Sequence, residues 1–224
     1  FTGQAVWKDG EAQYGAARRG QAGEFDGKRY IDVGNIGNFG FYDSFTVSGW
    51  INPASSSGTI VSRAADDEEG KGWGLILSDG HLGATLVQRW LDDGVRLESE
   101  ESIPLNRWSH VALTYDGSRL AGGVRLYLDG RLLRTKIHLD YMNQPFDVKQ
   151  PLRIGAGLGA AHRFRGRLGG VRVYRSSLSP EEVAVAALPE TVSQLALVPE
   201  AQRSAAQAAK LRLCFLERYA PAEM

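Results

Sequence analysis

From Gln4 to about Tyr174 apolar and polar side chains alternate with period two, in short runs broken by glycine, aspartate, asparagine and proline. "RYIDVG" (29–34) sets Tyr30 and Asp32 against Ile31 and Val33. "FTVSGWI" (45–51) puts Phe45, Val47, Gly49 and Ile51 on one face and Trp50 on the other. "GTIVSR", "GWGLILSDG" and "HLGATLVQRW" follow, and "RWSHVALTYDG" aligns Val111, Leu113 and Tyr115. "VRLYLDGRLL", "PLRIGAG" and "FRGRLGGVRVYR" close the series. Period two gives each strand one buried and one outward face, and runs spaced roughly 8–12 residues apart predict an antiparallel all-β sandwich or barrel. Val111, Leu113, Leu126 and Leu128 should share its interior, and Trp50 and Trp108 also read as core.

The pattern changes after Leu178. Ser179, Pro180 and Glu182 in "SLSPEEV" form an N-cap, a first-turn proline and a capping-box partner, predicting a helix from Pro180 to about Ala187 that ends near Pro189. From Pro199, Ala201, Ala205, Ala208, Leu211, Phe215 and Tyr219 recur at helical spacing, and Leu213, Cys214 and Leu216 widen the apolar stripe. Such a helix packs on the sandwich or belongs to a neighbouring domain. The organisation read is a β domain over 1–178 and a helical extension over 179–224, the start of a further domain. Phe1-Thr2-Gly3 and the tail Tyr219–Met224 both read as cuts into a longer protein.

Asp-Gly recurs at positions 79–80, 116–117 and 129–130. A two-residue type I′ hairpin needs positive φ at both central positions, which Asp-Gly supplies, so Asp79 and Asp129 read as turn residues before metal ligands. Asp116 precedes the longer "SRLAGG" loop and is freer.

"FDGKRYIDVG", "FTVSGWINP", "RWSHVALTYDG", "VRLYLDGRLL", "PLRIG" and "FRGRLGGVRVYRSSLSPEEV", in that order from about Gly23 to Val183, resemble the laminin-G-like and pentraxin-like jelly-roll domains of the concanavalin A-like superfamily. The resemblance implies two antiparallel sheets in a jelly-roll sandwich with a short C-terminal helical segment, and a non-catalytic role in binding glycans or proteins. The version with "LVQRW" and "AGGVRLYLDG" resembles domains embedded in large exported bacterial proteins that also carry a cytochrome-c-like domain. That implies an extracellular, periplasmic or cell-surface location and contacts with other domains of the parent chain. Family members commonly have an acidic pair, whose aspartate often helps bind calcium, where this chain has Gly169-Gly170. Glycine offers no side-chain oxygen, so calcium at that place is doubtful; Asp26 and Asp32 are the remaining candidates.

Composition narrows the partners. The 224 residues carry 26 basic and 26 acidic side chains, without the positive excess that displaces counterions from nucleic acid. No apolar run reaches the length of a membrane-spanning helix. Cys214 is the single cysteine, which excludes an intrachain disulfide and a cysteine-based zinc site in this sequence. His81, His110, His138 and His162 lack metal-ligand spacing. "GAGLGAAHRFRG" (155–166) lacks the helix and Lys-Ser/Thr of a phosphate loop and reads as a flexible connection.

Two carboxylates are needed for glycoside hydrolysis, and Glu98 and Glu100 in "RLESEES" would share a strand face. Arg96 shares it too, and a solvated face is the simpler reading. "DDEEG" (66–70) reads as a solvated loop tip. Sugar binding wants flat aromatic faces and planar polar groups. Trp73, Arg89, Trp90, Tyr141 and Asn143, in or beside long loops, are the candidates for one rim, with inter-sheet packing the competing reading for Trp73 and Trp90. The functional expectation is a binding or adhesion module. The alternatives are a structural domain that orients its neighbours and, third, a glycosidase.

Overall fold

The computed structural model describes residues 5–18, 20–67 and 70–219, Tyr219 by its backbone. Gln4, Phe1–Gly3, Glu68, Glu69 and the tail beyond Tyr219 lie outside the described residues. Among the described residues fifteen strands form two antiparallel sheets.

The eight-stranded sheet runs β1 (Val6–Lys8), β4 (Tyr30–Gly34), β14 (Leu152–Ile154), β6 (Gly58–Ala64), β7 (Gly72–Ser78), β8 (His81–Arg89), β9 (Asp93–Ser102), β13 (Thr135–Tyr141). The seven-stranded sheet runs β12 (Arg131–Leu132), β11 (Val124–Leu128), β10 (Ser109–Tyr115), β5 (Phe45–Pro53), β15 (Arg165–Tyr174), β3 (Gln21–Asp26), β2 (Tyr14–Ala16).

The inward halves of the alternating runs meet between the sheets. Val111, Leu113 and Leu126 are fully buried and Leu128 nearly so, facing Leu75, Leu82, Leu86 and Val95 in one cluster. Its aromatic centre stacks Phe39 on Phe45, centroids 4.4 Å apart, with Trp73 at 5.3 Å and Tyr115 at 5.7 Å from Phe45.

The Asp-Gly corners fold the chain as the turn chemistry requires. Asp79 (φ 49°) and Gly80 (86°) close β7 on β8, and Asp129 (51°) and Gly130 (80°) close β11 on β12. Asp129 Oδ1 also accepts the His110 amide at 2.8 Å, and Oδ2 the Arg107 guanidinium at 2.7 Å. At Asp116-Gly117 only the glycine has positive φ, and Asp116 Oδ1 accepts the Ser118 amide.

Helix α1 (Pro180–Ala186) begins at Ser179 with both bonds of the capping box, as read from the sequence. Its Val183 is fully buried over Ala112 and Tyr127 on the outer face of the seven-stranded sheet. A second helix, α2 (Val192–Ala196), is capped by Thr191 and Gln194. The third, α3 (Ala205–Tyr219), starts six residues later than the proline signal suggested, because Ser204 and Gln207 form its capping box. The expected stripe is also out of phase. Ala205, Ala208 and Phe215 are exposed, while Ala206, Lys210, Leu211 and Cys214 turn toward α1 and α2. Lys210 Nζ fixes that contact by donating to the carbonyls of Leu188 (3.1 Å) and Glu190 (2.7 Å).

Two tryptophans depart from the expectation. Trp50 is half-buried on the outer face of the seven-stranded sheet, as its alternate register dictates, and Trp108 is half-buried just before β10. The connection from Gly155 to Arg163 is no flexible link. Ala156 O and Gly157 O accept the hydroxyls of Ser62 (2.7 Å) and Thr59 (2.9 Å), and Leu158 is buried against β7.

Candidate functional site

The outer face of the eight-stranded sheet is built from the polar and small halves of β7, β8 and β9. Across β7–β8–β9 the register aligns Ile76, Gly83 and Glu98, then Gly74, Thr85 and Arg96, then Gly72, Val87 and Gly94. A shallow groove opens at the first two rows, with Gly83 on its floor, while Gly74 is covered by Leu158. Its volume is about 200 Å³, and its walls are Ile76, Ser78, Trp90, Arg96, Glu98 and His138.

Two register slips shape the walls. Between Val87 and Arg89 the β8–β9 pairing shifts by one residue, and the chain then turns through Trp90, Leu91 and Asp92. Trp90 thereby comes under the Arg96 guanidinium, whose carbon lies 4.4 Å from the ring centroid. Between Ile137 and Leu139 the β13–β9 pairing slips again, and His138 Nε2 reaches Glu98 Oε1 at 2.9 Å. Tyr141, opposite Gly94 and 61% exposed, stands on the same face at the β13 edge.

Electrostatics separate the groove's charges. Burial lowers the Arg96 guanidinium below its usual value, although arginine remains charged at any physiological pH. Its Nε and the Thr85 hydroxyl, on adjacent strands, are buried with no hydrogen-bond partner. Such orphaned polar atoms are rare in folded proteins and call for an acceptor or donor from outside.

Of the five rim candidates, four are brought together. Arg89 and Trp90 end β8, Tyr141 ends β13, and Asn143 is tied to the same corner by its amide, which donates to Asp93 Oδ1 at 2.8 Å. Trp73 is excluded: it is 1% exposed between the sheets and its Nε1 donates to Gly37 O at 2.9 Å. Arg89 is engaged by Asp92 at 2.8 Å.

The sequence reading missed Thr85, His138 and Asp93, and took the partner of Glu98 to be solvent. Asp66 was read as part of a solvated tip, yet it pairs with Arg163 at 2.8 Å, pinning the connection before β15. Burial raises the Asp66 carboxyl, but the Arg163 hydrogen bond and charge outweigh it and hold the group below its ordinary value.

Both calcium candidates already have partners. Asp26 Oδ1 accepts the amides of Lys28 and Arg29, and Oδ2 pairs with the Arg29 guanidinium at 2.9 Å, which drives its pKa well down. A cation already stands where calcium would. Asp32 Oδ1 accepts the Gly34 amide. Gly169 and Gly170 lie on the other sheet beside Trp50, and no cluster of three His, Cys, Asp or Glu suited to a metal occurs among the described residues.

A larger cavity, about 820 Å³, lies between the outer face of the seven-stranded sheet and α3. Trp50, Gly169, Gly170 and Arg172 line one side, and Leu213, Cys214 and Arg218 the other. None of the buried orphan atoms belongs to a residue lining it, whereas two belong to the smaller groove. The groove is the better candidate.

Two antiparallel sheets packed face to face, with short helices at the C-terminal end, define the class as a jelly-roll β-sandwich. Residues 25–184 match the laminin-G family of the concanavalin A-like lectin/glucanases superfamily, and the chain belongs to it.

Among solved structures, the binding domain of Paraclostridial Mosquitocidal Protein 1 is similar, with a TM-score of 0.63 and 17% identity over 85% of this chain. This chain spans 48% of that one. Domain 4 of the extracellular arabinanase AbnA from Geobacillus stearothermophilus, solved with arabinotriose, gives 0.55 and 16% over 82% of this chain and 88% of its own. The Ruminococcus gnavus sialidase module CBM40, bound to α2,3-sialyllactose, gives 0.52 and 19% over 65% and 83%. At these identities the likeness is one of fold. No described helix is long and apolar enough to cross a membrane.

Proposed function

We propose that the chain is a non-catalytic binding module that takes a glycan in the groove of the eight-stranded sheet. The observation that carries the reading is the Trp90–Arg96 stack and the unpartnered Thr85 hydroxyl lining one groove beside Gly83, with the exposed Tyr141 on the same sheet face. A shallow groove admits a sugar ring, the exposed Tyr141 ring offers a stacking surface, and the orphaned groups offer hydrogen bonds to hydroxyls. Solved relatives holding arabinotriose and sialyllactose support the ligand class. Hydrolysis would need two carboxylates facing each other across a cleft. Glu98 is engaged by His138, and Glu100 is exposed near the end of β9, which supports binding without catalysis.

A second reading, a domain that orients its neighbours, is favoured by α3, whose Leu213 and Leu216 are 44% and 42% exposed. On either reading 1–178 is the sandwich and 179–224 the extension, within an exported parent protein.

The test is a glycan array probed with the whole chain. Dose-dependent retention that Tyr141→Ala abolishes supports the glycan reading, and a blank array moves the ligand to a protein.

A further inference from the structure

We propose that the ligand of this groove carries an oxyanion, a sugar carboxylate or sulfate, and that Arg96 receives it; the inference rests on the glycan reading above. The more deeply buried Arg63 and Arg153 donate to backbone carbonyls, and five further arginines are ion-paired. Arg29, Arg89, Arg107, Arg131 and Arg163 each meet a carboxylate at 2.6–2.9 Å. Arg96 meets none, and its guanidinium donates no hydrogen bond to any described residue. The carboxylate nearest in register on its own face, Glu98, is drawn to His138. A half-buried cation therefore faces the groove without a counter-ion, a costly arrangement unless something completes it.

The geometry is prepared for that completion. Stacking on Trp90 restrains the guanidinium plane, so its N–H edge is presented in a fixed orientation. A planar fork matches a carboxylate or sulfate through paired hydrogen bonds. Thr85, directly across from Arg96 and 2% exposed, adds a hydroxyl with no other partner. Lys136, paired with Glu98 on β13, adds a second positive charge at the groove's edge.

The experiment compares the array's neutral, uronic-acid, sialylated and sulfated glycans on common backbones. It is followed by calorimetric titration of the whole chain with trigalacturonate and with its uncharged methyl ester. The acidic members should be preferred by roughly tenfold or more, as charge-assisted hydrogen bonds imply. Arg96→Gln should weaken acidic glycans by roughly tenfold or more and neutral ones far less, so that the preference disappears, and Arg96→Lys should keep part of it. Thermal melts verify that both variants fold. A signal led by carboxylated or by sulfated glycans supports the inference and identifies the source of the anion. Equal binding of acidic and neutral members, or a preference that survives Arg96→Gln, overturns it and leaves the glycan reading standing. No retention of any glycan overturns both.

Discussion

His110 stands edge-on to Trp50, ring centroids 5.4 Å apart and planes at 68°, on adjacent strands of the seven-stranded sheet. The imidazole is 1% exposed, its Nδ1 has no partner, and burial, reinforced by the charge of Arg172, depresses its pKa from 6.5 to about 4.

The pH dependence of folding follows from that shift. Above pH 6.5 the ring is neutral in both folded and unfolded chains and contributes nothing. Between pH 6.5 and about 4 only the unfolded chain takes the proton, so stability falls with falling pH, by roughly 3 kcal/mol in all. Urea titrations at several pH values measure the slope, and His110→Leu should flatten it. An equal slope in the variant would mean that another group is responsible.

Trp73 and Trp90 separate stability from binding. Trp73→Ala removes the ring packed on Phe45 and the bond to Gly37, and should cost about 3–5 kcal/mol. Trp90→Ala frees the Arg96 guanidinium. It should cost about 1 kcal/mol of stability or less, because the ring is only half-buried at a turn, while acidic-glycan binding weakens several-fold. Chemical denaturation and calorimetry of both variants give the two numbers side by side.

The contrast between these tryptophans also shows what a sequence carries. Both stand at the ends of period-two runs and both read as rim candidates, yet Trp73 falls on the inward half of β7 while Trp90 falls after the slip at the end of β8. Strand phase was legible: Val111, Leu113 and Leu126 are buried as the alternation required, and the Asp-Gly corners turn where their φ preferences dictate. Register slips were not, because a bulge leaves no composition of its own. His138 reaches Glu98 only through one, and nothing in "TKIHLDY" announces it. The capping boxes at Thr191 and Ser204 went unread although each has glutamine three residues on: helix α2 is not expected at all, and the last helix is expected to open at Pro199.

Helix α3 should contribute little to the sandwich. None of its described side chains is fully buried, and its main contacts are with α1 and α2. A chain ending at residue 203 should lose less than about 2 kcal/mol. Ending at 178 instead uncovers Ala112 and Tyr127, now buried beneath Val183, and should cost more than about 3 kcal/mol. Melting curves of the two truncations decide whether the extension stabilises the sandwich or rides on it. Equal losses would place the stabilising contact in α3.

Asp93 holds the rim of the groove together. It is 1% exposed at the start of β9, and its Oδ1 accepts the amides of Asn143 (2.8 Å) and Gln144 (3.3 Å), fixing the chain just beyond Tyr141. Asp93→Ala leaves both amides without that acceptor, at a cost of about 1–3 kcal/mol. Met142 and Phe146 are buried on either side of the pair and keep the segment anchored, so the change should be a local loosening rather than unfolding. Amide exchange should quicken at 143 and 144 while the β10–β11 ladder stays protected. Glycan affinity should fall with it, because Tyr141 loses its fixed approach to Gly94. Asp93→Asn retains an acceptor oxygen and should recover most of both effects. Recovery would assign the role to the hydrogen bonds, and failure would assign it to the carboxylate charge that faces Arg89 at 3.9 Å.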